Sequence, residues 1–206
     1  MALDRYAKLE LAVRTAFRQH LHQKLSSAKQ KIIIFPGFEI PRAGNVDLII
    51  KPKGGIIFCM VQRSDYVAAY KHTVGQIFGI IAHCRSMPGR EVREALRACQ
   101  SHPDMSELKQ GKIDILKVSK SFVEDVKKGA ITIALVTEVP EVPQQAKELE
   151  LNFFPIVKIL QDLLPLPVKK KKMCEAVELH AVNINTDPPK VGLMKEAIKP
   201  LLKLAN

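Results

Sequence analysis

The stretch NVDLIIKPKGGIIFCMVQR, Asn45 to Arg63, limits the fold more than any other part of the chain. Two short runs rich in Ile, Val and Phe flank Pro52, Gly54 and Gly55. Strands of that length joined by a Pro- and Gly-rich turn form an antiparallel hairpin. Side chains alternate along a strand. Ile56, Phe58, Met60 and Gln62 therefore share one face, and Ile57, Cys59, Val61 and Arg63 the other. Asp47 is the single acid of the hairpin and stands at the mouth of its first strand.

The elements around this hairpin follow from periodicity. Tyr6, Leu9, Val13, Ala16, Phe17 and Leu21 recur at helical spacing, with Asp4 as N-cap and Ser26-Ser27 at the exit. KIIIFPGFEIPR reads as a strand ended by Pro36-Gly37. After the hairpin, Val67, Tyr70, Val74, Ile77, Phe78 and Ile81 line one face of a second helix, capped by Ser64 or Asp65 and stopped at MPG. REVREALRACQS is a shorter helix. KIDILKVS and AITIALVTEV read as strands with the helix KSFVEDVKKG between them, ended by Gly129. A helical stretch ending near Leu164, a late strand in CEAVELHAVNIN and a terminal helix interrupted by Pro200 complete the chain. The order predicts an α/β protein: a central mixed sheet with helices on both faces.

Composition narrows the partners. The formal charge is +11, which favours an anionic partner, either nucleic acid or an acidic surface. Aromatic residues are 5% and Trp is absent, so stacking platforms for single-stranded bases are not expected, and the backbone of a duplex suits the chain better. Arg42, Lys51, Lys53 and Arg63 flank the hairpin, and Lys71 and Arg85 project from the helix beyond. Arg90, Arg93 and Arg97 recur at helical spacing as a basic ridge. Glu91 and Glu94 interleave with them, so a solvated helix face is the alternative of equal weight. The four cysteines are scattered with no Cys-x-x-Cys pair, the pattern of buried, reduced thiols and not of a zinc or iron–sulfur site. No apolar run approaches a membrane span and the N-terminus lacks a signal-peptide core, so the expectation is an intracellular, cytoplasmic protein without membrane contact.

Glu10 on the first helix, Asp47 in NVDLII, the strand IIFCMVQR and Gln76 in YKHTVGQIFGII together resemble the PD-(D/E)XK, or restriction endonuclease-like, nuclease superfamily. The resemblance implies a restriction endonuclease-like core over about residues 1–140 of one 206-residue domain, with residues 141–206 as a C-terminal strand and helix elaboration. It also implies a catalytic set of Glu10, Asp47, Gln62 and Gln76. In that family two carboxylates and a strand carbonyl hold Mg2+, which prefers hard oxygen ligands and activates a water. A lysine two residues beyond the second acid stabilises the developing phosphate charge. Here Met60 takes the place of that acid and Gln62 that of the lysine, leaving Asp47 and Glu10 as metal ligands. A thioether is a poor ligand for Mg2+.

The implied function is therefore duplex DNA binding with cleavage impaired or lost. One alternative is an active Mg2+-dependent endonuclease with a rearranged site drawing on Glu10, Asp47 and either Glu39 or Asp65. Another is a non-catalytic subunit of a homodimer or larger complex. Each site residue also has a structural reading: Asp47 as a turn or salt-bridge residue, Glu10 as the helical partner of Arg14, Gln76 as a hydrogen-bonder within the fold.

Overall fold

A computed structural model describes residues 7, 11–12, 15–16, 32–40, 43–61, 75–76, 79–80, 82–102, 105, 112–155, 158, 177–183, 186 and 190–204. Six strands form one sheet in sequence order: β1 (Ile33–Ile40), β2 (Gly44–Lys51), β3 (Ile56–Val61), β4 (Ile131–Glu138), β5 (Val177–Asn183) and β6 (Lys190–Leu193). β1, β2 and β3 pair antiparallel, β3, β4 and β5 pair parallel, and β6 returns antiparallel to β5. The sheet is mixed, as the order of elements predicts. Parallel neighbours need a crossover, and between β3 and β4 it includes the helical residues 75–76, 79–80 and 82–86, then α1 (Gly89–Gln100) and α2 (Ile115–Lys127). α3 (Pro143–Glu148) follows β4 and packs against the C-terminal α4 (Met194–Leu204).

Strand alternation sorts the apolar side chains into two layers. One holds Phe35, Ile49, Phe58, Met60, Ile133 and Leu135, against Val92 and Leu96 of α1, Phe122 and Val126 of α2, and Met194 and Ile198 of α4. The other holds Leu48, Ile50, Cys59, Val61, Ala134 and Val136, with Ala12 of the N-terminal helical residues. Helical residues thus cover both faces. Phe122 knits the first layer together, stacked on Phe38 at 5.6 Å and edge-on to Phe58 at 6.1 Å, geometries that suit the aromatic quadrupole. Among the described residues no helix is long and apolar enough to cross a membrane.

Three elements differ from the sequence expectation. KIDILKVS is not a strand: α2 begins at Ile115 and runs without interruption to Lys127. The Asp114 carboxylate accepts the Lys117 N–H at 3.0 Å, an N-cap that starts the helix inside the apparent alternation. Ile115, Val118, Phe122 and Val126 then recur at helical spacing on its buried face. The end of this helix is where the sequence places it, since Gly129 takes φ 68° and donates to the Val126 carbonyl. β1 does not stop at Pro36-Gly37 but continues to Ile40. Gly37 at φ 60° lets the strand re-aim, so Phe35 and Phe38 both enter the first layer. β6, which pairs Lys190–Leu193 with β5, is an addition to the expected strands.

Candidate functional site

The open end of the β2–β3 hairpin carries the residues that motif spacing singles out. The β2–β3 register runs from Ile50 opposite Ile57 to Leu48 opposite Cys59. Regular pairing stops there, one residue short of Asp47 and Met60. Their surroundings are unlike a metal site. The Asp47 carboxylate accepts the Val61 backbone N–H at 2.7 Å, doing the work of a ladder carbonyl where regular pairing ends. Met60 is 3% exposed and belongs to the first apolar layer. Burial pushes the Cys59 thiol well above its ordinary range, and the nearby Asp47 charge pushes it further.

Gln76 reaches the same mouth from the following helix. Its Nε2 donates to the Asn45 carbonyl at 3.5 Å and passes 3.4 Å from the position a Cβ on Gly44 would take. Gly44, at φ 101°, leaves that space open. Glu39 is exposed and stands opposite Asn45 in the β1–β2 register. Asp47, Gln76 and Glu39 therefore lie near the same end of β1 and β2. Glu10, Gln62 and Asp65 lie outside the described residues, as do Arg42, Arg63 and Lys71. Among the described residues no group of three or more His, Cys, Asp or Glu side chains could hold a metal ion. A carboxylate engaged by a backbone N–H, with a buried thioether on the neighbouring strand, does not by itself fit Mg2+.

The basic residues divide. Lys51 is corrected from a phosphate contact to an interior residue: it is 6% exposed. Its ammonium lies 2.6 Å from an Asp125 oxygen of α2 and donates to the Pro52 carbonyl at 3.0 Å. Lys53, in the turn between β2 and β3, is exposed. On α1, Arg90 pairs with Glu94 at 2.9 Å, Arg97 is exposed, and Arg93 is half-buried with its Nε unpartnered among the described residues. The ridge is thus partly neutralised by its own acids.

Two clusters escaped the sequence reading. Glu178 and His180 of β5 pair at 2.9 Å, and Glu138 of β4 is 5% exposed opposite Val182. The signal was present in VELHAVN, where Glu178 and His180 alternate onto one face. The second cluster lies on α2, where Lys117, Lys120, Lys127 and Lys128 are all exposed. Reading residues 112–119 as a strand put Lys117 in a different element from Lys120, Lys127 and Lys128 and hid their alignment.

The geometry defines an α/β protein with a six-stranded mixed sheet and a polar mouth where β2 meets β3. No family model, curated protein or solved structure matches the chain.

Proposed function

We propose that this chain binds duplex DNA on a restriction endonuclease-like scaffold and that its cleavage chemistry is impaired or lost. One observation carries the reading: the Asp47 carboxylate is engaged by the Val61 backbone N–H, and Met60 of β3, where the resemblance puts the second acid, is a buried thioether. The antiparallel unit of β1 to β3, the helices that follow it and the parallel β4 support the reading. The +11 charge supplies attraction to a polyanion.

Binding to a labelled duplex, measured from low to moderate salt, tests the reading. Phosphate contacts require affinity to fall steeply as salt rises, and absence of binding at low salt overturns the proposal. Incubation with Mg2+ or Mn2+ and several DNA forms, beside an Asp47→Ala control, tests the chemistry. Metal-dependent cleavage that disappears in the control would make this an active nuclease, with Mg2+ held by Asp47 and ligands such as Glu10.

A further inference from the structure

The outer face of α2 carries a row of four exposed lysines. At 100° per residue, Lys117, Lys120, Lys127 and the C-cap residue Lys128 fall within about 100° of arc and extend over about 16 Å along the axis. All are exposed. They lie opposite the buried face formed by Ile115, Val118, Phe122 and Val126. One acid, Glu124, shares the arc and approaches Lys128 at 3.9 Å. α1 differs: Glu91 and Glu94 alternate with its arginines.

The direction of α2 ties this stripe to the hairpin mouth. Its last turn leads through Gly129 and Ala130, whose carbonyl accepts the Ile56 N–H at the start of β3. Phe122, in the middle of the helix, meets Phe58, in the middle of β3. α2 therefore runs antiparallel to β3, and Lys117 lies toward the end of the sheet where β3 finishes at Val61.

We infer that the lysine stripe of α2 is the surface that tracks the phosphodiester backbone of a DNA duplex. The inference rests on the DNA-binding reading above and names the surface responsible. Lysine supplies a point charge on a flexible stem, suited to contacts with phosphates that carry position but no sequence information. An extent of about 16 Å matches several phosphates, which follow one another every 3.4 Å along a strand's axis.

The test compares two charge-matched variants of the full chain. One replaces Lys117, Lys120, Lys127 and Lys128 with Gln; the other replaces the exposed Lys147, Lys158, Lys190 and Lys203. The stripe variant is expected to bind a duplex at least about tenfold more weakly at 50 mM salt. Its log–log salt slope should be shallower by about 3 to 4, at about 0.9 per lost contact. The control variant should keep most of the wild-type slope. Equal losses in the two variants, or an unchanged slope in the stripe variant, overturn the inference while leaving duplex binding intact. A wild-type chain that binds no duplex at 50 mM salt overturns the DNA-binding reading and this inference together. Loss of binding to phosphatidylserine vesicles with duplex binding unchanged assigns the stripe to an acidic membrane surface and also overturns it. Unchanged far-UV circular dichroism excludes unfolding as the cause.

Discussion

The Lys51 ammonium and an Asp125 oxygen lie 2.6 Å apart, with both side chains under 10% exposed. This pair joins the end of β2 to the last turns of α2 beneath the sheet. Removing one member leaves a buried charge without its partner, which costs about 3–5 kcal/mol. Lys51→Met and Asp125→Leu singly should each lower the urea midpoint sharply. The double variant should recover most of the loss, because two apolar groups of similar size fill the site without desolvated charge. A double-mutant cycle showing additive losses would refute the coupling.

The bond from the Val61 N–H to Asp47 gives Asp47→Ala a stability effect independent of any chemistry. An unpaired N–H at this part-buried rung should cost about 1–3 kcal/mol. Asp47→Asn keeps an acceptor in place and should cost less than half as much. Equal stability of wild type and Asp47→Ala in denaturant titration would show that the carboxylate is dispensable for the fold.

Burial raises the thiols of Cys84 and Cys99 to about 12 and that of Cys59 well above its usual value. The thiolate is the reactive form, so at pH 8 these three cysteines should resist alkylation in the native state and react readily in urea. The sign of the pH linkage follows. The unfolded chain releases these protons above about pH 8.5, whereas folded Cys84 and Cys99 hold theirs to about 12. Their stabilisation is fully present below pH 8.5 and is lost as pH rises from there towards 12, by up to about 1.4 kcal/mol per pH unit for each thiol. A Cys84→Ala variant should lose stability less steeply over that range, and an unchanged slope would contradict the assignment.

Gly37 tests the re-aimed strand. Its φ of 60° disfavours any L side chain, and a Cβ would stand 3.0 Å from His102 Cδ2. Gly37→Ala should destabilise by about 1–3 kcal/mol. Adding His102→Ala should recover only the steric share, leaving the backbone strain. Full recovery in the double variant would mean that the strand tolerates a side chain at this φ.

The hairpin, β4, the late strand and the terminal helix were legible because their periodicity has one reading. Residues 112–119 were not, since Ile113 and Ile115 are spaced as in a strand while Ile115 and Val118 are spaced as in a helix, and the deciding feature was the Asp114 cap. The Pro36-Gly37 pair looked like a stop because a left-handed glycine within a strand leaves the same mark in sequence as a turn. At the mouth, the resemblance singled out Asp47, Met60 and Gln76. It could not show that the Asp47 carboxylate would meet a backbone N–H, because that depends on where the β2–β3 ladder ends. Lys51 beside Lys53 in KPK looked equally solvent-facing. Only the packing of α2 over the sheet separates an interior cation from a surface one.

The two outer strands bear on solubility. Among the described residues the sheet ends at β1, broken in the middle by a proline and a left-handed glycine, and at β6, only four residues long. Neither margin offers a long straight template onto which another polypeptide could add its own strand, and a proline or a short run at an edge discourages such recruitment. A chain with this much Ile and Val in its interior would otherwise be prone to fibrous self-association at high concentration, and the irregular flanks work against it.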